Sequence, residues 1–324
     1  MALQRWPVLL GLQRSLRTWV TQVNGVMAED ATEPMGILRP TSSSTLPSLV
    51  VRMLEAAEIG EGENVLEIGT GTGYSTALLC HRLGEGAVTS IEVDPVVAAR
   101  ARAALKVVGY LPTLVQGDGL VGYEANAPYD RLIATCAVRT IPPGWVRQVR
   151  PGGTITAPML GWTGGAAFAH LHVADDGTAS GRFLKDDVYF MMARPHLPPP
   201  RPTMTMGTGE VSESRIDPSI LTDDTALWIA QLAAPQAQHG WAEDILTLLD
   251  VETGAQADIR PSTEGGWTVH QDGPLKLWDA VEDAILTWQE AGRPHQSGFG
   301  LTVTSEAQWV WLGEPDRPSW TLPA

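Results

Sequence analysis

The residues VLEIGTGTGYSTALLC, Val65 to Cys80, decide the fold. Val65, Leu66, Glu67 and Ile68 read as a short buried strand, apolar but for one acid. Glycine then takes alternate positions, Gly69, Gly71 and Gly73, so that the turn lacks a Cβ at every second residue. The apolar run from Tyr74 to Leu79 predicts a helix. A strand, a glycine turn and a helix N-terminus in succession bring bare backbone N–H groups close to a ligand.

The spacing narrows the ligand. A dinucleotide fingerprint needs G-x-G-x-x-G. Counted from Gly69 its last position is Tyr74, and counted from Gly71 it is Thr76, so neither register fits. The pattern E-x-G-x-G-x-G resembles the first motif of class I S-adenosyl-L-methionine (SAM) methyltransferases. That resemblance implies glycines that let the backbone approach the methionine part of the cofactor, with an acid just before the turn. It nominates Glu67, Gly69, Thr70, Gly71 and Gly73 as cofactor contacts. For the glycines alone, a turn without a ligand stays open.

At 324 residues the chain is long enough for two domains or one large one with an appendage. No apolar run approaches the 18 or so residues that span a bilayer. A formal net charge of −15 argues against nucleic acid or an anionic membrane as the main partner. The charge is uneven: from His196 onward there are 19 Asp/Glu against 6 Lys/Arg, while residues 1–195 hold 18 against 16. Eight of the twelve tryptophans also lie beyond His196, so the two parts read as different domains. Cys80 and Cys136 sit in apolar segments without metal-ligand spacing, as suits buried, reduced thiols of a cytoplasmic protein. His170 and His172 would share one face of a strand, but no third ligand is near, and they read as ordinary strand histidines with no metal implied.

In chain order, residues 1–25 carry Leu9, Leu12, Leu16, Trp19, Val20 and Val23 near one helical face and read as a docking helix. A presequence is compositionally compatible too. A loop from Ala28 to Ser44 ends in the hydroxyl run Thr41-Ser42-Ser43-Ser44-Thr45, and Pro47 introduces a helix from about Leu49 to Glu58. Ala87–Val93 reads as the second strand. Its Glu92 lies 23 residues beyond Gly69, where a strand-end carboxylate can accept ribose hydroxyls. A helix over Val96–Val108 and a strand near Thr113–Gln116 follow, and Asp118 between Gly117 and Gly119 can accept from an adenine amino group, though taken alone it reads as a turn aspartate. Further strands are expected at Arg131–Cys136, Thr154–Pro158, Ala167–Val173 and Arg182–Met191, with a helix opening at Pro142. Pro195–Gly209 reads as a proline-rich linker. Beyond it, Leu275–Ala291 reads as an amphipathic helix, and Phe299–Thr304 with Gln308–Leu312 as a hairpin.

Taken together, Thr41 to Arg194 resembles the protein-L-isoaspartate O-methyltransferase family. The motifs that carry this are VLEIGTGTGY, Ser90-Ile91-Glu92, Gly117-Asp118-Gly119, Ala127-Pro128-Tyr129-Asp130, Ile141-Pro142 and Pro151-Gly152-Gly153, in that order. The resemblance implies an α/β fold: a Rossmann-like open sheet whose last strand is antiparallel, here with a smaller α+β C-terminal domain. The expected division is an N-terminal helix and loop over 1–44, a methyltransferase domain over 45–194, a linker over 195–215 and an acidic, Trp-rich domain over 216–324. It implies SAM as cofactor, bound by the residues above with Glu92, Asp118 and Gly119, and an isoaspartyl protein or peptide as partner. The family's Thr-x-Ser-x-Pro segment maps onto Ser43, Thr45 and Pro47, which nominates Ser43 and Thr45 to position the substrate carboxylate. The loop after Cys136, Ala137 and Val138, is nominated as part of the same cradle.

Two departures mark this chain: threonine stands for the family's serine at Thr45, and the usual Val-Pro-Arg-x-x-Phe-like signature upstream is absent. The tail beyond Pro195 has no counterpart in the short repair enzymes and is similar to extended actinobacterial members. Some of those resemble tailoring enzymes that esterify an aspartate of a ribosomally made precursor, after which aspartimide forms. Repair, tailoring, and a SAM-binding sensor without transfer activity are thus the three readings carried forward.

Overall fold

The computed structural model describes residues 18–30, 39–185, 188–315 and 317–323. Its first elements differ from the expected helix. Trp19–Val23 is a strand, β1, paired antiparallel with β2 (Val26–Met27) and with β3 (Pro40–Ser44). Asn24 and Gly25 join β1 to β2 with φ of 50° and 77°, the turn geometry an Asn-Gly pair favours. The hydroxyl run is therefore mostly a strand, not a loop. The rest of the expected docking helix lies outside the described residues.

Next come α1 (Pro47–Ala56), β4 (Val65–Ile68), α2 (Tyr74–Leu83), β5 (Val88–Glu92), α3 (Pro95–Val107), β6 (Thr113–Gln116) and β7 (Tyr129–Ala134). They are followed by α4 (Pro143–Gln148), β8 (Val149–Leu160), β9 (Ala166–Val173) and β10 (Ala179–Phe183). Strands β6, β5, β4, β7 and β8 run parallel in that spatial order. Every residue of β4 and β5 is buried, as befits parallel strands covered on both faces. β9 and β10 close this part antiparallel. The strand expected to run from Arg182 to Met191 stops instead at Phe183, and residues 188–191 belong to no strand.

The chain beyond Pro195 adds a second sheet of its own and also extends the central one. After β11 (Glu210–Glu213) and α5 (Asp224–Ala233) come β12 (Ala237–Ala242), β13 (Ile245–Asp250), β14 (Gln256–Pro261) and β15 (Trp267–Asp272), which make a five-stranded sheet with β11. Then α6 (Leu277–Glu290) leads to β16 (Phe299–Val303), β17 (Gln308–Leu312) and β18 (Ser319–Thr321). β16 pairs antiparallel with β10, so the central sheet runs through ten strands, β18-β17-β16-β10-β9-β8-β7-β4-β5-β6. The main sheet thus takes strands from both sides of residues 195–215.

Glycine permits that crossing. A Cβ at Gly181 would lie 2.0 Å from the His170 carbonyl oxygen, and one at Gly300 would meet the Trp311 ring at 2.2 Å. Packing follows the sheet: Leu66, Leu132, Ile155 and Phe183 share one buried cluster with Trp228, Trp278, Ile285 and Phe299 of the tail. Phe183 and Trp228 meet edge to face with ring centroids 5.5 Å apart. The proline-rich segment lies against the second sheet: Arg201 donates to Thr247 Oγ1 at 3.0 Å and the Gly207 N–H to Asp258.

Candidate active site

Strand order reverses between β4 and β7, and in open α/β sheets a crevice forms there, outside the carboxyl ends of the strands. A cavity of about 260 Å³ occupies this place. Its floor is built by strand ends: Ile68 through Thr72, Glu92 and Val93, Asp118 through Leu120, then Thr135 and Cys136. α1 adds Val50 and α2 adds Tyr74 and Ser75. Thr18, Thr41, Ser42, Ser43 and Thr45 form a wall from the N-terminal sheet, and a strap from Tyr189 to Pro195 forms the opposite wall.

The turn has the backbone its glycines allow. Gly69, Gly71 and Gly73 have φ of 97°, 55° and 81°. A Cβ on Gly69 would lie 2.7 Å from Thr135 Oγ1, whose hydroxyl donates to the Ile68 carbonyl at 3.0 Å and also to that of Gly69. A Cβ on Gly71 would meet only the Ser43 carbonyl oxygen, at 3.8 Å, so main chain of the N-terminal wall and no side chain faces the turn there. Gly73 packs toward Leu105 of α3, and its role is close helix packing.

The two nominated strand-end acids share the cavity. Glu92 accepts from the Gly71 N–H at 2.9 Å and from the Asp94 N–H at 3.0 Å, which braces the turn against the next helix. Asp118 accepts from the Leu120 N–H at 2.9 Å. Gly119 packs so close to the end of β4 that a Cβ would come within 2.5 Å of Ile68, and its carbonyl takes the indole N–H of Trp145 at 2.8 Å. Ser43 and Thr45 line the wall that faces the turn. Glu67 lies behind the wall rather than in it. It is fully buried, and Thr76 and Ser90 donate to its Oε2.

Ala137 and Val138 are not on the wall. Both are buried in the core; the Val138 backbone pairs with β8 at Pro158 and Leu160, and that of Ala137 holds the strap. The Ala137 N–H donates to the Met191 carbonyl at 2.9 Å, and its carbonyl accepts from the Ala193 N–H at 2.8 Å. The strap that Ala137 anchors lines the cavity in their stead.

Three residues not nominated from the sequence close the rim. Gln22, fully buried, donates to Asp94 Oδ2 at 3.1 Å and accepts from Thr41 Oγ1 at 2.7 Å. Arg194 donates to the same Asp94 oxygen at 2.8 Å and to Gln22 Oε1 at 3.1 Å. Burial alone would raise the Asp94 carboxyl, but hydrogen bonds from Arg194, the Val97 N–H, Gln22 and the Val96 N–H outweigh it and hold the group at about 2. One further joint reaches the tail. The Arg139 guanidinium stacks 3.5 Å over Trp162 and donates to the Pro235 carbonyl, while the Arg139 backbone N–H donates to His196 Nδ1 just past the strap.

Among the described residues no group of three metal-ligating side chains occurs. His170 is engaged with Thr156 Oγ1 at 2.9 Å and meets His172 edge to face. No helix among the described residues is long and apolar enough to cross a membrane.

An open sheet with a glycine turn after its first parallel strand and acids after the next two defines a class I SAM-dependent methyltransferase fold. Residues 18–192 match the family model described as protein-L-isoaspartate(D-aspartate) O-methyltransferase. The protein-L-isoaspartate O-methyltransferase of Ignicoccus hospitalis is 41% identical over 133 residues, 40% of this chain and 62% of its own length. That of Anaeromyxobacter dehalogenans is 41% identical over 159 residues, 47% of this chain and 72% of its own length. With 52% for an Archaeoglobus fulgidus relative, the chain spans about half to two-thirds of the length of most of these proteins. A solved structure named protein-L-isoaspartate O-methyltransferase superposes with a TM-score of 0.52 at 19% identity, covering 87% of this chain and 84% of its own. That coverage exceeds the family segment, so the tail's fold has a counterpart there. The chain belongs to the protein-L-isoaspartate(D-aspartate) O-methyltransferase family.

Proposed function

We propose that this chain is a SAM-dependent carboxyl O-methyltransferase acting on L-isoaspartyl side chains of proteins or peptides. One observation carries the reading. The left-handed glycine turn, Glu92, Asp118 and the hydroxyl residues Ser43 and Thr45 all border a single cavity at the strand-order reversal. The residues fit the cofactor: the space above Gly71 is free of side chains, and Glu92 and Asp118 offer acceptors at neighbouring strand ends. Two free thiols and the lack of a membrane-crossing helix among the described residues suit a cytoplasmic enzyme.

When bound, the cofactor supplies a methyl group on a sulfonium, open to in-line displacement. A side-chain carboxylate of pKa about 4 is already ionised at neutral pH, so no residue need remove a proton. The work left to the chain is positioning, which can contribute several kcal/mol. Ser43 and Thr45 orient the acceptor carboxylate from the wall opposite the turn. The strap and the N-terminal sheet, joined through Arg194, Asp94 and Gln22, exclude water from the reacting pair. The product ester then cyclises to succinimide away from the protein, as the neighbouring backbone amide nitrogen attacks the ester carbonyl, loses its proton to solvent and displaces methanol.

Labelled SAM offered with an isoaspartyl peptide, its aspartyl isomer and any small peptide encoded beside this gene tests the reading. Transfer to the isoaspartyl peptide supports repair. Transfer confined to the encoded peptide favours tailoring, and no transfer despite tight cofactor binding favours a sensor.

A further inference from the structure

Beneath the glycine turn lies an acid whose surroundings do not balance its charge. Glu67 is fully buried; its Oε2 accepts from Thr76 at 2.5 Å and Ser90 at 2.7 Å, while its Oε1 has no partner among the described residues. No Lys, Arg or His among the described residues forms an ion pair with it. The ionisable groups facing it are Glu92 on β5 and Cys80 on α2, neither of which can supply positive charge. On the β7 side its register partner is the apolar Ile133. Burial pushes the carboxyl up; the hydroxyls of Ser75, Thr76 and Ser90 pull the other way, and Glu92 adds to the rise.

A hydrogen-bond chain leads from this acid to the cavity. Thr70 Oγ1 lies 2.6 Å from Ser90 Oγ. Because the Ser90 hydroxyl donates to Glu67, the Thr70 hydroxyl donates to Ser90. Thr70 and Ser75 both line the cavity, so Glu67 stands one layer behind the wall, under the turn the cofactor would approach. A buried carboxylate with no counter-charge is relieved in one of two ways: it takes a proton, or a cation comes near.

We propose that Glu67 reads the charge of the bound cofactor, holding a proton while the cavity is empty or carries the neutral thioether product and releasing it in the presence of a sulfonium. The inference rests on the cofactor reading above. In the step the Glu67 O–H bond breaks, the proton passes to solvent, and the carboxylate left behind offsets the incoming positive charge. The net charge of the complex is unchanged. S-adenosylhomocysteine lacks that charge and draws no proton from Glu67. Rising pH therefore favours SAM over its product, which makes exchange of spent for fresh cofactor proton-linked.

Titration calorimetry on the full chain tests this, with SAM and S-adenosylhomocysteine each measured in two buffers of different ionisation enthalpy. At pH about 6.5 the amino groups of both compounds are protonated in solution, so they cancel. SAM is expected to release up to about one proton more than S-adenosylhomocysteine on the wild type. Glu67→Gln erases that difference and weakens SAM about tenfold, while S-adenosylhomocysteine changes less than about threefold. Equal proton counts for the two compounds on the wild type overturn the proposal, and this arm decides if Glu67→Gln does not fold. A difference that survives in Glu67→Gln overturns it too, since the proton then comes from elsewhere. Uptake of neither compound removes the cofactor reading itself, and the role of Glu67 with it.

Discussion

Arg194 and Asp94 pair at 2.8 Å across the rim of the cavity, 100 residues apart in the chain. The pair fastens the strap to the first turn of α3, where Asp94 also caps the helix by accepting from the Val96 and Val97 N–H groups. Gln22 joins the N-terminal sheet to the same oxygen. Three segments distant in sequence thus converge on one carboxylate.

Arg194→Met removes the clasp without changing the length of the apolar stem. SAM KM is expected to rise severalfold with only a small drop in Tm, because the guanidinium is partly exposed and solvent screens the pair. The pH response has a defined sign. The folded Asp94 carboxyl lies at about 2, below its ordinary 3.8, so its contribution to stability is full above the ordinary value and is lost as pH falls toward 2. Acid unfolding followed by circular dichroism should therefore begin at higher pH in Arg194→Met than in the wild type.

Gly71→Val should abolish SAM binding in calorimetry while the protein stays folded. Valine at φ of 55° is strained, on the order of 1–3 kcal/mol, and its side chain would enter the space the turn leaves open. Gly69→Ala should cost more stability for its size, since the added carbon meets Thr135 Oγ1 at 2.7 Å. Tight SAM binding by Gly71→Val would sink the cofactor reading.

Thr45→Ala should lower turnover by roughly 10- to 100-fold and leave SAM affinity within about threefold, as loss of one positioning contact does. Steady-state kinetics with an isoaspartyl peptide and calorimetry with SAM separate the two effects. A collapse of SAM affinity instead would assign Thr45 to holding the N-terminal wall.

A fragment ending near Leu197 should fail to give soluble, folded protein. Removing the tail bares the β10 edge that β16 covers and leaves Phe183 without Trp228. Expression with limited proteolysis checks this; a stable fragment would mean that the tail merely leans on the sheet.

Neither thiol should react with iodoacetamide at pH about 8 in the native protein, and both should react once it is unfolded. Burial pushes the Cys80 and Cys136 thiols up to about 12. Mass spectrometry of peptides from labelled protein gives the answer directly.

The sequence made legible what is local. Glu67 through Gly73, Glu92 and Asp118 came through the resemblance of their motifs to those of a known family, each lying at or just past a strand end of a sheet that repeats strand, turn and helix. Asn24-Gly25 carried a hairpin signal, but the apolar residues from Leu9 to Val23 fit a helical stripe as well, and Trp19 and Val23 suit either period. The clasp was hidden for a different reason. Nothing near Arg194 points to Asp94 or Gln22, and a pair of this kind exists only once the chain has folded. The same holds where β16 joins β10: Gly181 and Gly300 mark a close approach, yet a strand glycine alone does not name its partner. Ala137 and Val138 were nominated for a direct role because they follow the strand end, but the Ala137 backbone serves a pairing that brings Met191 and Ala193 to the cavity, and that of Val138 pairs with β8.

The unbroken sheet makes the far margin of the molecule a convenient handle. From β4 to β18 there are seven strand-to-strand steps, roughly 34 Å at ordinary spacing. A fluorophore tethered beside Thr321 would thus ride on the same hydrogen-bonded lattice as the reaction centre yet stay clear of anything entering it. Its depolarisation would follow the tumbling of the whole body, and a lattice pulled apart at β10 and β16 would announce itself as sudden local freedom.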